Sequence, residues 1–275
     1  MHTVAVLAFD GIVAVDLVIP ADTFGHAQLA DGRLGYRVKV CGISPTVSTT
    51  VCRIEVTHGL SGLSLADTVF IPGIDRHDRE VDERILKAIR RAAARGSRIA
   101  SVCSGALVLA RTGLLDGKRA TTHWAAAEVL QKLHPSVKVD PAVLYVDNGL
   151  LLTSAGGMAS LDLCLHMIRR DYGGAVAANV ARKAVMPLER SGGQAQFIVY
   201  EPPDADQGDS LAATLEWMRR NVASDLSVEV LARRAGMSTR SLARRFKEQT
   251  GTTPARWVNQ ARIHQAQTLD RKSVV

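Results

Sequence analysis

The feature that most constrains the fold of this chain is the order in which apolar and helical segments follow one another along the sequence. Through the first 172 residues, short apolar runs alternate with stretches of helical periodicity, whereas only helical spacing occurs from Leu211 onward. Such alternation is typical of a mostly parallel sheet with helices on both faces. We therefore predict an α/β domain followed by an all-α segment.

The elements of the first domain can be placed from periodicity and turn residues. Predicted strands lie at residues 3–9, 36–42, 51–57, 67–72 and 98–102, and predicted helices at 17–29, 81–94, 106–112, 124–133 and 159–170. A hairpin should turn at Asp147-Asn148-Gly149. Residues 187–209 are polar and contain several Gly and Pro, so they form a predicted linker between domains at 1–186 and 210–275.

The positive charge of the chain is concentrated in the second domain. Residues 1–209 contain 22 Lys+Arg and 22 Asp+Glu, whereas residues 210–275 contain 12 and 5, which accounts for the whole net charge of +7. A neutral body joined to a basic segment predicts that this segment binds a polyanion.

Several classes of protein are excluded by composition. No apolar run approaches the roughly 18 residues of a membrane span, and the N-terminal segment is typical of a first strand instead of a signal peptide. The four cysteines show neither C-x-x-C spacing nor neighbouring histidine pairs. We expect a cytoplasmic protein without disulfides, metal, cofactor or membrane partner.

Cys103 follows a short apolar run and precedes a helix, with Ser104 and Gly105 between them. A side chain at such a turn projects at the carboxyl ends of the strands, where open α/β sheets bind ligands. The helix N-terminus would favour a thiolate over a thiol. The alternative is a buried structural cysteine, a common environment for this residue.

Two residues are candidate partners of this cysteine. Asp16 follows the first strand and could share a proton with Cys103, or it could cap the next helix. His123 could form a Cys–His pair, but its position before Trp124 favours a structural residue at a helix start.

The basic segment contains a helix-turn-helix pattern. Gly236 ends one short helix and Ser238 begins the next. Leu242 and Phe246 should face the core, which leaves basic side chains on the opposite face to enter a major groove. The predicted DNA contacts are Ser238, Thr239, Arg240, Ser241, Arg244, Arg245 and Lys247.

Longer motifs carry a family resemblance. They are Asp16-Leu17, Val102-Cys103-Ser104-Gly105-Ala106, residues 113–124, Tyr145-Val146-Asp147-Asn148-Gly149 and Thr153-Ser154-Ala155-Gly156-Gly157. Together they resemble the ThiJ/PfpI superfamily, which is glutamine amidotransferase-like. The similar branch contains isocyanide hydratase and the GlxA-type AraC-family regulators.

This resemblance implies a flavodoxin-like sheet, with Cys103 at the turn and Asp16 opposite, in a domain that forms homodimers. In the enzymes the matching cysteine is the nucleophile and the matching acid assists it. In the regulators the same cleft holds a small, often nitrogenous metabolite, which implies a binding site at Asp16, Cys103, Ser104 and Gly105. Residue 104 is Ser where the hydratases carry Thr, which weakens the inference of catalysis.

The second domain resembles the first helix-turn-helix unit of AraC/XylS-type regulators. By this resemblance Arg240 and Arg244 occupy groove-facing positions, where Arg reads guanine, while Arg245 and Lys247 contact phosphates. The family has a second unit after a long helix, and no matching pattern follows here, so we expect the domain to be truncated after its first unit.

Three functional interpretations follow. The first is a DNA-binding transcriptional regulator that responds to a small molecule and has no catalytic turnover. The second is a cysteine enzyme, such as an isocyanide hydratase or amidohydrolase. The third is a redox sensor in which Cys103 is oxidised.

Overall fold

The chain forms two compact units, Met1–Gln196 and Phe197–Val275. The structure, a computed structural model, describes residues 1–186, 210–250, 252–259 and 261–262. The predicted linker, residues 187–209, lies outside the described residues, and the predicted domain boundaries stay a prediction.

The first unit is built on a mostly parallel sheet. Its strands and those of two small accessory sheets are β1 His2–Ala8, β2 Tyr36–Gly42, β3 Thr46–Ser48, β4 Arg53–Glu55, β5 His58–Gly59, β6 Thr68–Ile71, β7 Arg98–Val102, β8 Arg119–Ala120, β9 Lys138–Val139, β10 Tyr145–Asp147 and β11 Leu151–Ser154. The main sheet has the order β10-β11-β7-β6-β1-β2-β5 within the described residues. Every neighbouring pair is parallel except the β10–β11 hairpin, which confirms the predicted fold class and the predicted turn.

Helices cover both faces of this sheet. They are α1 Ala14–Gly25, α2 Glu83–Ala94, α3 Gly105–Ala110, α4 Trp124–Leu133, α5 Ala159–Tyr172 and α6 Gly174–Lys183. Helix α1 contacts α5, and α2 contacts α3. β7 is buried along its whole length, as expected for a central strand that is covered on both sides.

The connections of the sheet create a crevice at its carboxyl edge. From β1 the chain passes to β2 on one side and later returns to β6 on the other side, so the direction of winding changes between β1 and β6. Ligands of open α/β sheets bind at such a point, outside the carboxyl ends of the strands. The segments after β1, β6, β7 and β11 all leave at this edge.

Three sequence predictions need correction. The strand predicted at 51–57 is reduced to β4, which forms a two-stranded hairpin with β3 outside the main sheet. The helix predicted at 17–29 begins at Ala14 and ends at Gly25, so Asp16 lies inside its first turn. Helix α6 was not predicted, because the expected strand–helix alternation ended at residue 172.

The second unit contains α7 Ser210–Arg220, α8 Val228–Arg234 and α9 Thr239–Thr250. Buried side chains of these helices form one apolar core, which includes Met218, Leu231, Leu242 and Phe246. Residues 254–259 are also helical. None of the helices in the described part combines the length and apolar character that a bilayer span needs.

Candidate functional site

Cys103 lies at the turn between β7 and α3, as the sequence predicts. Its φ of 55° falls in the left-handed region, which costs a non-glycine residue about 1–3 kcal/mol. Hydrogen bonds hold this conformation: the Cys103 N–H donates to the Ser154 carbonyl at 3.0 Å, and Thr122 Oγ1 donates to the Cys103 carbonyl at 2.8 Å. The surrounding structure therefore fixes the thiol at the carboxyl edge of the sheet.

Two glycines allow other segments to approach Cys103 closely. A Cβ on Gly156 would lie 2.2 Å from Cys103 Cβ, and a Cβ on Gly73 would lie 2.9 Å from the same atom. The Gly73 position is also 2.5 Å from Asp16 Oδ2. The side chains of Asp16 and Cys103 thus meet at Gly73, and we call this group the Asp16–Cys103 site.

Asp16 is almost completely buried, with 1% of its surface exposed. Its Oδ1 accepts a hydrogen bond from the Gly157 N–H at 3.2 Å, which joins α1 to the start of α5. Its Oδ2 forms no hydrogen bond of ordinary geometry within the described residues, although weaker interactions of the carboxyl group with the Cys103 thiol and the Gly73 N–H lower its pKa. The N-cap of α1 is Val13, so the alternative of Asp16 as a helix cap is wrong.

Burial dominates the electrostatics of this site. It raises the pKa of Asp16, and the Gly157 N–H is the strongest of the opposing influences. Burial, followed by the charge of Asp16, raises the pKa of Cys103 to about 12. The predicted thiolate is therefore wrong, because desolvation of the thiol outweighs the donors at the start of the six-residue helix α3. Cys103 is a neutral thiol near pH 7.

Ser104 and Gly105 belong to the site mainly as supports. The Ser104 hydroxyl donates to the Ile74 carbonyl and accepts from the Ile74 N–H, both at 2.8 Å. A Cβ on Gly105 would lie 2.5 Å from the carbonyl oxygens of Ile71 and Pro72. Both residues hold the segment after β6 against the turn, and their predicted role in ligand binding stays a prediction.

His123 begins helix α4, as its position before Trp124 indicates. Its Nδ1 accepts the Ala125 N–H at 3.3 Å, which makes it the N-cap. It also lies close enough to Asp16 to lower the pKa of that carboxyl electrostatically. His123 is thus a structural residue at the margin of the site.

Sequence reasoning assigned no role to Gly73 or Gly157, although both contact Asp16. The available signal was their position, since each follows the carboxyl end of a strand of the sheet. Their contacts with Asp16 depend on packing between segments that are far apart in the chain, which periodicity does not report.

The second unit contains the predicted helix-turn-helix. Gly236 has a φ of +64°, which ends α8. The Ser238 hydroxyl then accepts the Ser241 N–H at 3.1 Å and caps α9. Leu242 and Phe246 are fully buried, which confirms their predicted position in the core.

The predicted DNA-contacting residues have two kinds of environment. Thr239, Arg240, Arg244 and Lys247 are exposed, which leaves a basic face on α9. Ser241 and Arg245 are half-buried, and the hydroxyls of Ser238 and Ser241 lie 2.9 Å apart in a mutual hydrogen bond. These contacts with DNA stay predictions.

Both units match known families. Residues 2–170 match the DJ-1/PfpI family, and residues 231–274 match a helix-turn-helix domain. The chain is 28% identical over 229 residues to the HTH-type transcriptional regulator CdhR of Pseudomonas aeruginosa, a region that covers 83% of this chain and 68% of CdhR. It is 33% identical over 168 residues to isonitrile hydratase of Pseudomonas putida, over 61% of this chain and 71% of the hydratase.

Solved structures agree on the fold. The crystal structure of an AraC family transcriptional regulator from Pseudomonas putida aligns with a TM-score of 0.59 at 19% identity, over 67% of this chain and 100% of that one. With its two matched regions, the chain belongs to the DJ-1/PfpI family and is a transcriptional regulator that joins a DJ-1/PfpI domain to an AraC-type helix-turn-helix domain.

Proposed function

We propose that the DJ-1/PfpI unit of this cytoplasmic regulator senses a small nitrogenous molecule at the Asp16–Cys103 site. One observation carries the proposal: Asp16 is 1% exposed, and its Oδ2 forms no hydrogen bond of ordinary geometry among the described residues, although the Cys103 thiol and the Gly73 N–H lie near this carboxyl group. Leaving a buried acceptor unsatisfied costs about 1–3 kcal/mol. A ligand N–H group would satisfy it, and a cationic nitrogen would also neutralise the buried charge.

The state of the thiol supports sensing over catalysis. Nucleophilic cysteines act as thiolates, and their pKa is lowered by nearby cations or helix N-termini. Here burial and Asp16 raise the pKa of Cys103 to about 12. Cys103 as a residue is half-buried and not fully enclosed, so a bound molecule can still approach it.

Calorimetry with a panel of amino acids and quaternary amines tests the proposal. We expect a ligand of the wild-type chain to bind at least tenfold more weakly to Asp16→Asn, and more weakly to Cys103→Ala. The matched control is Asp22→Asn, which removes an exposed carboxylate from the same helix, α1. Unchanged binding in both site variants would place the ligand elsewhere.

A cysteine enzyme is the alternative, and two observations favour it. Cys103 has the strained backbone of a residue at a nucleophile turn, and the chain is similar to an isonitrile hydratase. We expect no hydration of isocyanides and no amide hydrolysis, because the thiol is protonated. Turnover that disappears in Cys103→Ser would contradict this expectation and establish the enzyme.

We also propose that two copies associate through the DJ-1/PfpI unit. On α1, Val15 and Val18 are 41% and 53% exposed, although apolar side chains favour burial. We expect sedimentation analysis of the wild-type chain to show a dimer, and Val18→Lys to weaken it. A monomer at every concentration tested would contradict this part of the proposal.

A further inference from the structure

Helix α2 carries a local excess of positive charge within a neutral region of the chain. Residues 83–95 contain five Lys or Arg, Arg84 included, and one carboxylate, Glu83, whereas residues 1–209 as a whole have no net charge. No part of the proposed sensing function uses this helix.

The cations of α2 share one face of the helix. Ile85, Leu86, Ile89 and Ala92 are buried against the first unit. Positions i, i+3, i+7 and i+11 lie on one side of a helix, about 5.4 Å apart per turn. On the exposed side of α2, opposite these buried residues, such positions are occupied by Arg84, Lys87, Arg91 and Arg95. We call these four residues the α2 basic stripe.

Most of the charge in this stripe is not neutralised. Asp82 pairs with Arg84 at 2.7 Å. Lys87 and Arg91 have no carboxylate partner in the part of the chain that the structure describes. The Arg95 guanidinium donates to the carbonyls of Leu63 and Arg91, at 2.8 and 2.9 Å, so it keeps its full charge. Three adjacent turns therefore present uncompensated cations to solvent.

We propose that the α2 basic stripe is a second DNA-contacting surface, which binds the phosphate backbone. The chain is a helix-turn-helix regulator, so DNA is its polyanionic partner. A row of cations one helical turn apart suits a row of phosphates. Protein interfaces instead have apolar or aromatic centres, whereas this face offers only alanines between its cations. Such contacts position DNA without reading its sequence.

The proposal does not depend on effector sensing, because it involves neither Asp16 nor Cys103. It requires the stripe to contribute to affinity and to the salt dependence of binding. Each phosphate contact contributes about 0.9 to the slope of log affinity against log salt. Removing two contacts therefore lowers the slope by about 1.8.

Fluorescence anisotropy of duplex DNA with the full chain measures this slope. Between about 50 and 200 mM salt, wild-type protein should lose about 12-fold more affinity than Lys87→Gln/Arg91→Gln. Lys118→Gln/Lys132→Gln removes the same charge from exposed positions elsewhere in this unit and should bind like wild type. Lys87→Arg/Arg91→Lys keeps the charge and should also bind like wild type.

Two outcomes would overturn the proposal. One is a stripe variant with the affinity and slope of the wild type. The other is an equal loss in the control pair, which would indicate an effect of net charge alone. An α9 variant, Arg240→Ala, separates the sources of binding: if it weakens binding while the stripe variant does not, the helix-turn-helix alone accounts for DNA binding and the proposal is wrong. Circular dichroism verifies that each variant is folded.

Discussion

At the scale of single residues, the carboxyl group of Asp16 and the thiol of Cys103 both have a pKa above its usual range, so both hold their protons more tightly than in water. Burial is the first cause in each case; the charge of Asp16 further raises the pKa of Cys103, whereas a hydrogen bond with Cys103 lowers the pKa of Asp16. Folding therefore favours the protonated form of the pair. This coupling should appear as a pH dependence of stability.

Asp16→Asn tests this coupling. The pKa of Asp16 is higher in the folded protein than its unfolded value of 3.8. Such a group contributes its full stability below pH 3.8, and this contribution is lost as the pH rises through the folded pKa. The variant should therefore gain stability relative to wild type as pH rises from 3.8 to the folded pKa, at a rate approaching about 1.4 kcal/mol per pH unit. Urea unfolding from acidic to neutral pH measures this difference. A difference that is constant, or that grows toward acid, would contradict the prediction.

The close approach of Gly156 to Cys103 gives a second prediction at this scale. Gly156→Ala adds a Cβ that would lie 2.2 Å from Cys103 Cβ, at a φ of +83°. Gly149→Ala adds one at a φ of +86°, with no atom within 4 Å, so it isolates the backbone strain. We expect Gly156→Ala to cost about 1–3 kcal/mol more than Gly149→Ala. Thermal unfolding measures both, and equal losses would show that the contact relaxes freely.

At the scale of elements, the sequence predicted those that depend on local pattern. β2, β7 and α4 agree with the structure to the residue, because each has a clear period and a marked boundary. The segment at 51–57 alternates like a strand but pairs only with β3, outside the main sheet. Which strand a segment pairs with is decided by the tertiary fold and not by its own residues.

The N-caps of the two helices in the helix-turn-helix, α8 and α9, differ in a testable way. Ser238 caps α9 through its hydroxyl, whereas Ser227 occupies the N-cap of α8 without a side-chain hydrogen bond. We expect Ser238→Ala to destabilise the second unit by about 1 kcal/mol, and Ser227→Ala by clearly less. Thermal unfolding followed by circular dichroism compares them. Equal losses would mean that the Ser238 bond contributes little.

Variants of helix α9 should distinguish residues that recognise bases from residues that bind phosphates. We expect Arg240→Ala to reduce discrimination between a sequence selected by the wild type and a scrambled one, at about 1–3 kcal/mol for a bidentate contact. Lys247→Ala should weaken binding to the selected and the scrambled sequence equally, and it should lower the slope of log affinity against log salt by about 1. Binding titrations at two salt concentrations distinguish these patterns. The assignment fails if Lys247→Ala changes discrimination and Arg240→Ala does not.

At the scale of the whole molecule, the site shows where sequence reasoning ends. Cys103 was found because its turn is encoded by adjacent residues. Asp16 and Gly157 are 141 positions apart, and their hydrogen bond exists only because α1 packs against α5. The direction of the thiol pKa was predicted wrongly for the same reason. The helix N-terminus can be read locally, whereas the depth of burial follows from the packed sheet.

If the first unit senses a molecule and the second binds DNA, the two binding events must be linked in both directions. A ligand that changes the affinity for DNA by a given factor has its own affinity changed by DNA by that same factor. Couplings of this kind are typically about 5- to 150-fold. This linkage holds whether the ligand strengthens or weakens DNA binding. It therefore tests sensing even when it is not known whether the protein activates or represses transcription.

The measurement uses any amine or amino acid that the wild-type chain binds. Calorimetry gives its affinity with and without saturating DNA, and anisotropy gives the affinity for DNA with and without the ligand. The two ratios should agree, and Asp16→Asn should lose the ligand while keeping its basal affinity for DNA, because α9 is unchanged. A ligand that binds at Asp16 with both ratios equal to one would show a site without regulatory coupling. That result would separate the DJ-1/PfpI unit from control of DNA binding, even though the helix-turn-helix remains functional.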